Sequence, residues 1–255
     1  MKRRIFAISD LHLDYAVNQQ WLEGLSLVDF QDDVLILAGD ISDAPKLQDL
    51  CFREVARRFH RVLFVPGNHD IWIKRYPCEG GSLAKFALVQ ALAQQHGVLT
   101  TPWHEGCLSI VPLLSWYDFS FGEPSERLRE AWMDFFACEW PAGWGETEIS
   151  QHFLGRNAEL LALKNETVIS FSHFMPRLDI LPQEMTRTRH LVLPVLGSTA
   201  LDRQIQQLQS AIHVYGHSHL NRHIERDGRT YINNAFAYPA ESHIAAKQLR
   251  CIFEM

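Results

Sequence analysis

The sequence predicts an α/β fold whose functional side chains gather at the ends of buried strands. Three observations predict it. Five short apolar runs, over 5–8, 34–38, 62–65, 168–171 and 212–215, have the length and composition of strands buried on both faces. A polar cluster closely follows each run: Asp10-Leu11-His12, Gly39-Asp40, Gly67-Asn68-His69-Asp70, Ser172-His173 and Gly216-His217-Ser218-His219. The intervals from Asp10 to Asp40, 30 residues, and from Asp40 to Asn68, 28 residues, each accommodate a strand, a helix and a second strand. Open α/β sheets take their ligands at the carboxyl ends of the strands, so the five clusters belong to one site.

The remaining elements follow in order. Helical patterns occupy 45–59, 82–95, 125–139, 146–163 and 199–209, and Gly97 is placed to stop the second. A further strand is expected over 108–114, and 222–225 and 230–233 flank Asp227-Gly228 as a hairpin. Early strand–helix alternation and a late hairpin predict mixed sheets. No repeat, low-complexity tract or linker divides the chain, so one domain is expected over 1–255, with an elaborated insert over about 71–165. Six of the seven tryptophans lie between Asn68 and His173, where packing is the default role for such large apolar rings. The stretch 176–198 has little periodicity; it carries Arg177, Arg187, Arg189 and His190 directly after the His173 strand end.

Composition narrows the function. A net charge of −6 argues against a protein that tracks long nucleic acid, which favours basic surfaces, but not against a small anionic substrate beside bound cations. Five scattered cysteines with no C-x-x-C read as reduced thiols of a reducing compartment. The Met-Lys-Arg-Arg start precedes an apolar run too short for an export signal, and no run approaches a membrane span, so a cytoplasmic protein with no membrane partner is expected.

The clusters offer Asp10, His12, Asp40, Asn68, His173, His217 and His219. Imidazole suits Zn, Fe or Mn and carboxylate or amide oxygen suits Mn or Mg, so the mixture points to transition-metal ions. Seven donors exceed one tetrahedral ion and suit two divalent ions sharing a bridge. If Asp10-x-His12 and His217-x-His219 are extended, residues i and i+2 leave the same face, and each pair can aim at one cavity.

This ordered set, D-x-H, G-D, G-N-H-D, a lone His and G-H-x-H from Asp10 to His219, resembles the calcineurin-like metallophosphoesterase family. The resemblance implies a four-layer αββα sandwich of two mixed sheets. It implies that Asp10, His12 and His219 hold one Mn, Fe or Zn ion, that Asn68, His173 and His217 hold the other, and that Asp40 bridges them. The implied reaction is attack of metal-activated hydroxide on the phosphorus of a small phosphomonoester or phosphodiester. His69 has no ligand role in the family pattern and is the candidate general acid. Asp43, three residues after Asp40 as in the phosphoprotein phosphatase branch, is the candidate to orient it, with Asp70 the rival. Arg177 could grip a second anionic part of the substrate. Two branches fit poorly. Gly39-Asp40 continues Ile41-Ser42-Asp43 and not with the valine-aspartate-arginine-glycine run of protein phosphatases, and His69 stands where lipid A precursor hydrolases have arginine. A non-catalytic metal-binding scaffold and a nuclease are the alternatives.

Overall fold

The computed structural model describes residues 2–188 and 190–255. In chain order its regular elements are β1 (Arg4–Ile8), α1 (Ala16–Glu23), β2 (Val34–Leu37), α2 (Pro45–Ala56), β3 (Arg61–Phe64), α3 (Gly81–Gln95), β4 (Trp103–Glu105), β5 (Leu108–Pro112), α4 (Glu126–Ala131), α5 (Asp134–Ala137), α6 (Glu146–Gly155), β6 (Thr167–Phe171), α7 (Gln183–Thr188), α8 (Thr199–Gln207), β7 (Ile212–Tyr215), β8 (Arg222–Arg226), β9 (Arg229–Asn233) and β10 (Arg250–Glu254). One sheet has the order β10-β1-β2-β3, the other β4-β5-β6-β7-β9-β8. The inner strands run parallel, and β10, β4 and β8 pair antiparallel at the edges.

Alternation along the strands builds the layers. Ile5, Ala7, Val34, Ile36 and Leu63 of the first sheet pack against Ile110, Ile169, Phe171, Val214 and Ile232 of the second, forming the central core. The opposite face of the first sheet (Phe6, Ile8, Leu35, Leu37) packs on Leu22 of α1, Phe52 and Val55 of α2 and Val89 of α3. The outer face of the second (Val111, Val168) packs on Leu154 of α6 and Leu201 and Ile205 of α8. The result is a four-layer αββα sandwich. Each large apolar side chain buried this way contributes about 1.5–3 kcal/mol, so strands covered on both faces had to be continuous apolar runs.

The structure departs from the sequence reading in instructive places. The helix expected over 125–139 divides into α4 and α5, because Trp132 adopts an extended backbone and its indole N–H donates to Asp134. The helix expected over 146–163 stops at Gly155. Just beyond it, Asn157 turns its side-chain amide onto the Leu114 backbone, accepting from N–H and donating to C=O, a competing bond that draws the chain out of helix. Edge strands β4 and β10 and the short α1 and α7 carried too little pattern to be read. Among the described residues, no helix is long and apolar enough to cross a membrane.

Candidate metal centre and active site

All seven expected donors meet at one end of the sandwich, on the loops that leave β1, β2, β3, β6 and β7. How they turn there differs from the extended pairs expected. Asp10, His12, Asp40, His217 and His219 all have left-handed backbones, with φ of 53°, 42°, 59°, 65° and 56°. Such conformations are unfavourable for residues with a Cβ and persist where the surroundings over-determine them, commonly at functional sites. Each D-x-H or H-x-H pair is therefore brought together by a turn, not by strand pleat.

Two features hold the turns. Asp70 is fully buried, and its carboxylate accepts the backbone N–H groups of Asp40, Ile41, Ser42 and Gly67, three at 2.8 Å and that of Ser42 at 3.2 Å. It thereby ties the loop after β2 to the loop after β3. Gly67 permits close approach: a Cβ there would sit 2.1 Å from Asp40 Oδ1 and 2.7 Å from His173 Cε1. Only hydrogen fits.

With the imidazoles in their neutral forms, the tautomers read from the hydrogen bonds leave lone pairs facing inward. His173 Nδ1 donates to the Ala38 carbonyl (2.9 Å), which leaves Nε2 as an acceptor. His217 Nε2 donates to the Val195 carbonyl (3.0 Å), which leaves Nδ1 as an acceptor. Asn68 donates its amide N–H to Asp134 (2.8 Å), so Oδ1 faces in. These three acceptors stand together, with His173 Nε2 3.1 Å from both Asn68 Oδ1 and His217 Nδ1, and 3.4 Å from Asp40 Oδ2. On the other side His219 Nδ1 donates to Glu241 (2.6 Å), and its Nε2 faces His12 Nε2 at 3.0 Å and Asp10 Oδ1 at 3.4 Å. Buried lone pairs converging in this way repel unless a proton or a metal cation lies among them. Imidazoles that donate their other nitrogen to a carbonyl or carboxylate are oriented as metal ligands are. The donor set fits divalent ions.

Electrostatics agree. Burial disfavours charge on His173, but the Asp40 carboxylate outweighs it and lifts the imidazole to about 9. Burial likewise opposes, and Asp10 with Glu241 overcomes, a rise at His219 to about 10. Burial, seconded by neighbouring imidazoles, pushes His217 down to about 3 and His12 well below its ordinary range. The buried carboxylates thus demand positive charge: His173 and His219 supply it as protons, which a bound cation would displace, while His217 and His12 stay neutral.

His69 stands above this centre. Its Nε2 is 3.8 Å from Asp40 Oδ2, and its ring lies on Trp72 (centroids 3.6 Å apart) and makes a T-shaped contact with His12. Neither expected orienting carboxylate touches it. Asp43 instead pairs with Arg75, whose Nε donates at 2.7 Å, and Asp70 is spent on backbone amides. What the His69 ring packs against is the Trp72 indole. Arg177 is also elsewhere: its guanidinium bonds Asp179 (2.6 and 2.7 Å) and Asp227 (2.7 Å) over the Tyr231 ring, outside the cavity lining. Two nearby acids satisfied it before any substrate could. Arg189 and the Arg187 side chain lie outside the described residues.

Three participants escaped sequence reasoning: Glu241 behind His219, Tyr238 stacked on His12 (centroids 4.4 Å), and Asp134 behind Asn68. They follow no motif, and only the tryptophan density around Asp134 hinted at them. Over the centre opens a cavity of about 520 Å³, floored by Asp40, Asn68, His69, His217 and His219 and walled by Trp132, Leu191, Val192, Leu196 and Tyr238. Trp132 packs against the insert core together with Trp116, Trp140 and Trp144, as expected of it, and in addition presents a face to the cavity. A second cavity of about 210 Å³ shares Asn68, His69, Trp132 and Tyr238 and continues past Trp72 and Met133.

Fold and donor set together define a metal-dependent phosphoesterase class of site. The family model for calcineurin-like phosphoesterases matches residues 3–221, and the chain belongs to that family. Over 125 residues it is 34% identical to an acyl-carrier-protein phosphodiesterase, PptH, of Mycobacterium tuberculosis, an alignment covering 46% of this chain and 38% of that protein. The crystal structure described as the phosphopantetheinyl hydrolase PptH from the same organism superposes with a TM-score of 0.82 at 23% identity, covering 99% of this chain and 96% of that one. That likeness establishes the shared fold.

Proposed function

We propose that this chain is a binuclear-metal phosphodiesterase that cleaves a phosphopantetheine-type arm from a carrier protein. The observation that carries the phosphoesterase reading is the convergence of buried lone pairs from Asn68, His173 and His217 beside Asp40, and from His12 and His219 beside Asp10. Asp10, His12 and His219 would hold one divalent ion, Asn68, His173 and His217 the other, and Asp40 both. Such ions, when bound, lower the pKa of water and neutralise phosphoryl charge.

The chain's own groups supply the rest. His69, at the cavity floor on the Trp72 face, would protonate the departing alkoxide. The diester preference draws on the two cavities meeting at Asn68, His69, Trp132 and Tyr238, one for each ester substituent. The larger has an apolar wall of Leu191, Val192 and Leu196, suited to a long, uncharged arm. The relative named an acyl-carrier-protein phosphodiesterase supports this choice.

The test is turnover, with Mn added, of a phosphopantetheinylated carrier protein beside bis-p-nitrophenyl phosphate and p-nitrophenyl phosphate. The carrier-borne diester is expected to have the highest kcat/KM, and the monoester the lowest. A monoester turned over faster than both diesters would sink the diester reading.

A further inference from the structure

The insert contributes one carboxylate to the centre without reaching it. Asp134, the first residue of α5, is buried, at 3% exposure. Its Oδ1 accepts from Asn68 Nδ2 (2.8 Å) and Trp72 Nε1 (2.7 Å), and its Oδ2 accepts from Trp132 Nε1 (2.8 Å). Three N–H donors, two from the segment 68–72 and one from Trp132 just ahead of α5, thus end on one side chain. Each donor belongs to the site: Asn68 turns its oxygen inward, Trp72 is the surface beneath His69, and Trp132 is the wall between the cavities.

The Asn68 amide is the part that needs such a device. An amide can be turned by half a rotation, exchanging its oxygen and nitrogen at almost no change in shape. Turned one way it offers a lone pair to a cation; turned the other it offers two N–H groups, which repel one. Nothing intrinsic to Asn68 selects between them. Oδ1 of Asp134 does, because an acceptor on the far side bonds only the nitrogen.

We propose that Asp134 is a positioning residue that fixes the Asn68 amide with its oxygen toward the metal centre, and that holds the Trp72 and Trp132 indoles in the same stroke. The inference rests on the metal-binding reading above, and its test separates the two. The apo-protein is titrated with Mn against a chelating indicator, alongside Asp134→Ala and Asp134→Asn, with tryptophan fluorescence and thermal unfolding followed in each.

Asp134→Ala should weaken Mn binding at its weaker site by about 10–100-fold, the usual loss when the hydrogen-bond partner of a ligand is removed. Asp134→Asn can keep its Oδ1 on Asn68 and Trp72 while facing Trp132 with an amide, so its Mn affinity should stay within about 3-fold of the parent. Its fluorescence should nonetheless change. If both variants bind Mn like the parent, or the asparagine variant loses as much as the alanine one, orientation of Asn68 is not what Asp134 does.

Should Asp134→Ala fail to fold, the Asn68→Ala background decides. There Asp134→Asn should cost no further Mn affinity, and an additional loss would overturn the inference. Absence of Mn binding by the parent protein would be a failure of the metal reading itself.

Discussion

Of the residues named, Asn68 and His69 show best how adjacent positions in one motif divide the work. Asn68 is buried and turned inward by Asp134, whereas His69 stays partly exposed on the Trp72 face. His69→Ala should therefore lower turnover about 10²–10⁴-fold on esters with alkoxide leaving groups, and far less on p-nitrophenyl esters, whose leaving group hardly needs a proton. Steady-state kinetics on the two ester kinds checks this, and equal losses would move His69 from the leaving oxygen to phosphate binding. Gly67 carries a second prediction. A methyl at this position would overlap Asp40 Oδ1 and His173 Cε1, so Gly67→Ala must displace the Asp40 carboxylate. Destabilisation of about 1–3 kcal/mol is expected from the overpacking, together with lost Mn binding. Denaturant unfolding and metal titration measure the two, and an unchanged metal affinity would contradict the close approach.

Two elements show how the loops at the strand ends and the strand core respond to their charges. The turns after β2 and β3 are joined by Asp70, whose four accepted N–H groups would be left buried and unpaired in Asp70→Ala. Since a stranded buried donor costs about 1–3 kcal/mol, this variant should lose about 3 kcal/mol or more in urea unfolding; a loss below about 1 kcal/mol would contradict the role. The second element is β7, where buried His213 bonds Ser170 Oγ (2.8 Å) and Ser172 Oγ (3.1 Å) of the β6 side. Burial, with Arg229 adding to it, pushes His213 down to about 3. A depressed histidine does nothing to stability above its ordinary value of 6.5. As pH falls below that value the unfolded chain gains a proton the folded one refuses, and stability drops by up to about 1.4 kcal/mol per pH unit until about pH 3. By pH 5 the loss is about 2 kcal/mol. His213→Gln, which does not titrate, should lose correspondingly less between pH 7 and pH 5, and equal losses in parent and variant would reject the assignment.

At the scale of the molecule, what could be read from sequence was what repeats a local rule. Strands covered on both faces must be apolar runs, and the site polar groups sit just past their ends, so β1, β2, β3, β6 and β7 and all seven inward donors were legible. Edge strands β4 and β10 had no such run. The partners were also hidden, since Asp134, Glu241 and Tyr238 meet the centre through tertiary approach and obey no spacing. Asp43 and Arg177 are paired away from the places expected of them for the converse reason: proximity in sequence to a ligand says nothing about competing charges, and here Arg75, Asp179 and Asp227 bond them. Metal should stabilise the whole fold, because it binds the assembled loops and not the open chain. At Mn concentrations 100-fold above its Kd the gain is about 2.7 kcal/mol, and chelator should remove it in thermal unfolding. The most direct test of a shared two-ion centre is anomalous diffraction from crystals grown with Mn. The expected map has two peaks flanking Asp40, one among Asp10, His12 and His219 and the other among Asn68, His173 and His217; a single peak, or none at these residues, would contradict it.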